Sequence, residues 1–200
     1  MKKTAIQLFL LLLTVGFSAC KKDYGNKLGP LQDSVAAIPV TVTNQVYFER
    51  FPVVTTTVGT GTNANGTFSI DFSIPADKGK IKEITKVATG NSGVEYLQDA
   101  RYPNYLTTAV AGNGTNTITF SSDLNAVRNY VTRLTAVFAT LPASATKTAA
   151  FAFTGTSTGG AGTLTPNANP QTPNQLRFFF LITLEDGTQL ITTEVDVRLL

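Results

Sequence analysis

The residues of this 200-residue chain best suited to do chemistry lie in one stretch, Tyr96-Leu97-Gln98-Asp99-Ala100-Arg101-Tyr102-Pro103-Asn104-Tyr105. A sugar ring presents apolar C–H faces rimmed by hydroxyls, so a site for it wants aromatic platforms beside carboxylate, amide and guanidinium groups. Tyr96, Tyr102 and Tyr105 supply rings, and Asp99, Arg101 and Asn104 supply polar partners. The segment is the expected ligand-binding site, with a polysaccharide as ligand. The plainer alternative has one or two of the tyrosines packed on the edge of the sandwich with Asp99 and Arg101 in solvent, and the absence of Trp favours it.

Catalysis has few tools here. The chain has no His, which removes the commonest acid/base group, the commonest metal ligand and any Ser/His/Asp triad. A glycosidase needs two carboxylates about 5 to 10 Å apart across a cleft, whereas Asp71, Asp77, Glu83, Glu95, Asp99 and Asp123 follow no recognisable motif. The glycine-rich run 59–66 lacks Gly-Lys-Ser/Thr and a following helix, so it is no phosphate loop. No calcium-loop spacing is present, and Glu95 with Asp99 is too little to hold a cation. The expectation is therefore no enzyme, no cofactor and no metal.

Lys2 and Lys3 precede an apolar run, residues 6–15, that is short for a membrane span and has the length of a secretory core. Gly16-Phe17-Ser18-Ala19-Cys20 follows. This is similar to the lipobox of bacterial lipoproteins, with Phe17 standing where that family usually has an aliphatic residue. The resemblance implies cleavage after residue 19 and lipidation of Cys20, the chain's only cysteine. An uncleaved anchor, or secretion with a spare thiol, is the alternative, and a lone thiol in an oxidising compartment is a liability that lipidation removes.

Loss of residues 1–19 leaves 14 basic residues against 13 acidic ones, a formal charge of +1 instead of +3. No basic stripe is left for nucleic acid, which is excluded as a partner. Residues 20–38, broken by Gly25, Gly29 and Pro30, read as a flexible tether. Lys21-Lys22-Asp23 resembles the start of outer-membrane lipoproteins of the Bacteroidota type, some of them surface-exposed. Asp33-Ser34-Val35 matches a short O-glycosylation motif of such bacteria.

The elements that must position any site are strands. From residue 39 to 200 the dominant signal is alternation: Phe68, Ile70, Phe72 and Ile74 on one face, Ser69, Asp71 and Ser73 on the other. Segments 40–48, 53–58, 80–87, 116–121 and 148–153 carry weaker forms of it. Near the C-terminus, 176–185 and 188–199 flank Asp186-Gly187, the signature of a two-residue hairpin turn. Pairing Glu185 with Thr188 sets Ile182 opposite Ile191, Phe180 opposite Thr193, Phe178 opposite Val195 and Leu176 opposite Val197. The same register sets Arg177 across from Asp196. Residues 121–127 read as a turn and 128–140 as a strand, with a helix bearing Leu124, Val127, Val131 and Leu134 and capped at Ser122 as the alternative. Asn65-Gly66-Thr67 and Asn113-Gly114-Thr115 read as turns, and 154–174 as an exposed or disordered loop.

The expected fold is all-β, an antiparallel β-sandwich of seven to nine strands ending in a hairpin. The ending Arg177-Phe178-Phe179-Phe180-Leu181-Ile182-Thr183-Leu184-Glu185-Asp186-Gly187 resembles the last two strands of immunoglobulin-like or fibronectin-III-like domains of Bacteroidota lipoproteins. The likeness implies a lipid-anchored binding or scaffolding module of the cell envelope, at the outer membrane, serving glycan uptake or adhesion. Its partners would be the bilayer through the N-terminal lipid and a polysaccharide or an envelope protein. The alternative function is a structural subunit of an envelope complex or surface fibre, working by protein–protein contact.

Overall fold

The computed structural model describes residues 38–58, 65–90, 93–140 and 164–200, apart from the side chain of Phe138. The expected leader, Cys20, the expected tether as far as residue 37 and the expected strand 148–153 lie outside the described residues. Among those described are ten strands, two α-helices and one 3-10 turn (Ala76–Lys78): β1 (Thr41–Val42), β2 (Tyr47–Phe48), β3 (Pro52–Thr56), β4 (Phe68–Ser73), β5 (Ile81–Thr89), α1 (Gly93–Gln98), β6 (Val110–Ala111), β7 (Thr117–Ser122), α2 (Leu124–Thr140), β8 (Gln175–Leu184), β9 (Gln189–Ile191) and β10 (Val195–Leu199). The protein is mostly β. The strands form a three-stranded sheet ordered β1-β4-β7 and a seven-stranded sheet ordered β2-β3-β10-β8-β5-β6, with β9 also on β8. They pack as a sandwich and close no barrel.

The alternation in β4 does what its period dictates. Phe68, Ile70 and Phe72 point inward, 6%, 0% and 1% exposed, and meet Ile118 and Phe120 of β7 in a register that pairs Ile70 with Phe120. Between the sheets Phe120 lies 5.1 Å from Phe180, Phe72 4.7 Å from Phe180 and Phe68 5.4 Å from Phe178, ring centre to ring centre, in tilted or edge-on geometry. Aromatic pairs so disposed add about 0.5–1.5 kcal/mol beyond the area they bury.

Four expectations are corrected. The sandwich is mixed and not purely antiparallel, because β10 runs parallel to β3, with Val197 beside Val54. Segment 40–48 is two short strands, since the side chain of Asn44 takes over the edge of β4: its amide donates to Ser69 O and its carbonyl accepts from Asp71 N, both at 3.0 Å. Residues 124–140 are helical. Leu124, Val127, Tyr130, Val131 and Leu134 form one buried stripe, and the cap is Asp123, whose Oδ1 accepts the Ala126 N–H at 2.8 Å. Thr132 and Thr135 are accommodated by donating their hydroxyls to carbonyls four residues back.

The hairpin is the fourth. Its far end has the expected register, Phe178 with Val195, Arg177 with Asp196 and Leu176 with Val197. Its near end is offset by one, with Leu181 opposite Ile191 and Ile182 opposite Leu190. Gly187 N donates to Leu184 O and Leu184 N to Thr188 O, so the loop has three residues, Glu185-Asp186-Gly187. Only Gly187, at φ +87°, is left-handed, whereas a two-residue type I′ turn needs positive φ at both central positions. The count is restored at 192–194, where Thr192 donates its N–H to Phe180 O and accepts the Phe180 N–H on its hydroxyl. The offset leaves Ile191 42% exposed instead of in the core. Arg177 makes its ion pair with Glu194, 3.1 Å, although Asp196 lies opposite it. Residues 164–174 are tied down: Leu164 is 2% exposed, Asn174 donates to Thr165 O, and Leu199 N donates to Asn174 O.

Candidate functional site

The segment 96–105 connects α1 to the strand region beyond it, and its parts are gathered by packing. Tyr96, Tyr102 and Tyr105 are 3%, 8% and 6% exposed. Tyr105 belongs to the core, 5.3 Å from the Tyr130 ring and edge-on to Phe178 at 5.6 Å, and its hydroxyl meets that of Ser122 at 2.6 Å. Burial raises its pKa above the ordinary 10.0. Tyr96 and Tyr102 pack on each other with centroids 4.5 Å apart, and the Tyr102 hydroxyl donates to Glu95 at 3.3 Å. None of the three rings offers a free face on which a sugar could stack.

The polar members are engaged as well. Asn104 mimics a strand: Oδ1 accepts from Val87 N (2.9 Å) and Leu106 N (3.1 Å), while Nδ2 donates to Thr85 O (3.0 Å). From α2, Arg133 donates to the carbonyls of Asn104 (2.9 Å) and Tyr105 (2.8 Å). Asp99 and Arg101 form an ion pair at the surface, with Nε to Oδ2 at 2.8 Å. The charge-assisted hydrogen bond from Arg101 holds the Asp99 carboxyl below its usual range. The structure thus brings the six residues together as a buttress between β5 and α2, with Arg101 exposed, Asp99 and Asn104 half-buried and the three tyrosines buried.

The surface feature that the sequence reading missed is β2. Val46, Tyr47 and Phe48 are 55%, 45% and 71% exposed, and β2 is the terminal strand of the large sheet. Large apolar side chains standing together on a sheet edge are what proteins normally avoid. The available signal was the unbroken run Val46-Tyr47-Phe48, which does not alternate. Arg198 orders the patch from behind: its guanidinium lies 4.8 Å from the Tyr47 ring centre and pairs with Glu49. An open cleft of about 680 Å³ adjoins the patch, with Val46, Val54 and Phe68 as its apolar wall and Thr67, Ser69 and Asp123 on its polar side.

On the outer face of β10 lies a second charged group. Asp196 is 7% exposed and sits beside Glu194, with Glu49 and Arg177 near; burial, then the Glu194 charge, raise its carboxyl to about 7. Among the described residues no group of three or more Cys, Asp or Glu is placed to hold a metal ion, and no helix is long and apolar enough to cross a membrane.

The fold and these surfaces define a mostly β, two-sheet protein with an apolar edge. Comparison with protein-family models, with curated proteins and with solved structures gives no match.

Proposed function

We propose that the chain is a lipid-anchored binding or scaffolding module of the cell envelope, without chemistry of its own, that works by protein–protein contact through the β2 edge. The observation that carries this is the exposure of Tyr47 and Phe48 on a terminal strand, with Val46 exposed just before it. Burying such side chains is worth about 25 cal/mol per Å², and a strand edge adds unpaired backbone groups for a partner to meet. Anchoring at the outer membrane rests on the likeness of Gly16-Phe17-Ser18-Ala19-Cys20 to a lipobox.

The finer reading of the sandwich is immunoglobulin-like. Its support is strand order: β1, β4 and β7 succeed one another as A, B and E do, and β6, β5, β8 and β10 as C′, C, F and G do, with β3 added beside the last. In that scheme α2 is an insertion between the E and F strands.

The test places a photo-cross-linking residue at position 48 in the full chain within intact envelopes, with position 107, in an exposed loop, as control. Discrete adducts from 48 and none from 107 support the proposal; no adducts, or the same adducts from both, overturn it. Retardation of the chain by one polysaccharide in a native affinity gel, unchanged in Phe48→Ser, would also overturn it in favour of glycan capture.

A further inference from the structure

We infer that Asn113 is a site of spontaneous modification: its side-chain amide is lost to attack by the backbone nitrogen of Gly114, with water as the only co-reactant, leaving aspartate or iso-aspartate in the loop between β6 and β7. The site lies apart from the β2 edge and does not depend on it. Asparagine amides are among the labile groups of proteins. A following glycine has no Cβ, which leaves the path from its nitrogen to the asparagine Cγ open. The chain holds two Asn-Gly-Thr triplets, 65–67 and 113–115. Their local chemistry is the same, so a difference between them comes from the fold.

At 113 the parts of the reaction stand ready. Asn113, Gly114 and Thr115 are all exposed. The electrophile is polarised, because Asn113 Oδ1 accepts from Thr115 N at 3.2 Å and from Thr115 Oγ1 at 2.5 Å. Both donors are aimed at the oxygen on which negative charge develops as Cγ becomes tetrahedral. Nothing among the described residues bonds the Gly114 N–H, the nucleophile, or Asn113 Nδ2, the leaving group. Gly114 stands at φ +76° with no atom within 4 Å of the place a Cβ would take, so a succinimide ring has room to close. The loop is pinned on both sides, Gly112 N donating to Lys82 O at 2.7 Å and Ile81 N to Thr115 O at 2.8 Å, which keeps Thr115 in its donating position.

At 65 the fold opposes the same step. Gly66 is buried, Leu124 Cδ1 lies 2.7 Å from the place of its Cβ, and Asn65 O accepts from Leu124 N at 3.0 Å. Turning the Gly66 nitrogen toward the Asn65 side chain means lifting this segment off the start of α2, and the free energy of that local opening slows the reaction.

The step balances. Gly114 N forms a bond to Asn113 Cγ and gives up its proton through solvent; the Cγ–Nδ2 bond breaks, and the amide takes up a proton and leaves as ammonia. One water then opens the cyclic imide at either of its carbonyls. Nothing is oxidised or reduced, and the chain gains one carboxylate.

The experiment incubates the full chain in mildly alkaline buffer, folded or in urea, and follows the change from amide to acid at 113 and 65 by tandem mass spectrometry of its peptides. In the folded chain Asn113 should react about tenfold or more faster than Asn65. In urea the two rates should converge, since both sites then share only the triplet. Thr115→Val, which removes the hydroxyl donor and keeps the shape, should slow Asn113 about threefold or more in the folded chain and leave Asn65 as slow as before. Equal rates in the folded chain, a ratio that urea leaves unchanged, or an Asn113 rate untouched by Thr115→Val overturns the inference.

Discussion

Asp196 gives the sharpest physical test of the large sheet. Its side chain is 7% exposed on the outer face of β10, and its Oδ1 has no hydrogen-bond partner among the described residues. Burial is the first cause that raises its carboxyl from the ordinary 3.8 to about 7; the negative charges of Glu194 and Glu49 add to it, and Arg177 opposes it. Between those two pH values the folded chain keeps a proton that the unfolded chain has released. The contribution to stability is therefore full below pH 3.8 and is lost as pH rises to about 7. At 1.36 kcal/mol per pH unit the gap sets a ceiling of about 4 kcal/mol, and partial solvent screening brings the expected loss to on the order of 2 kcal/mol. Asp196→Asn has no proton to lose. Urea unfolding followed from pH 4.5 to 8 should give the variant a stability advantage of about 2 kcal/mol at pH 8 that shrinks toward zero at the acid end. A difference that stays constant across this range, or that grows toward acid, refutes the reasoning.

Other outcomes follow from single contacts. Asn104→Ala leaves the N–H of Val87 and the carbonyl of Thr85 without their partners, and should cost about 2–4 kcal/mol in urea unfolding. Gly93→Ala puts a Cβ 1.9 Å from Phe179 Cδ2, so α1 must lift and stability should fall by about 1–3 kcal/mol, read in the same assay. Tyr130→Phe removes a buried hydroxyl that has no partner among the described residues, and should leave stability unchanged or raise it by up to about 1 kcal/mol in thermal unfolding. Leu134→Ala, at 0% exposure under α2, should cost about 2–5 kcal/mol.

Much of the strand content was legible because period two leaves no second interpretation where it is clean, as in β4. The register of Phe178 with Val195 was legible because apolar pairing and the Arg177–Asp196 opposition agreed on it. What failed lay where two patterns shared residues. Tyr130 and Leu134 satisfy both a 3.6 stripe and an alternation, and the deciding group, Asp123, is a cap whose value shows only once Ala126 N–H needs an acceptor. The turn was misread because Asp186-Gly187 serves a three-residue loop as readily as a two-residue one; the compensating residue sits far along the strand, at 192–194. The parallel pairing of β3 with β10 had no local signal at all, because periodicity reports which face is buried and says nothing of which strand lies alongside.

The tyrosine segment and the β2 edge show why composition ranks surfaces poorly. A platform for sugar and a lid on a core call for the same residues, rings with polar partners, and they differ in who takes the hydrogen bonds. Here Asn104 satisfies the β5 backbone, Arg133 satisfies the carbonyls of Asn104 and Tyr105, and the Tyr105 hydroxyl meets Ser122, so the polar groups that would grip a ligand are already bound within the chain. At β2 the accounting runs the other way. Val46 and Phe48 cover nothing of their own fold at more than half their area, while Arg198 is drawn over to hold Tyr47 and Glu49 in place behind them. An edge so composed is an aggregation hazard unless something covers it.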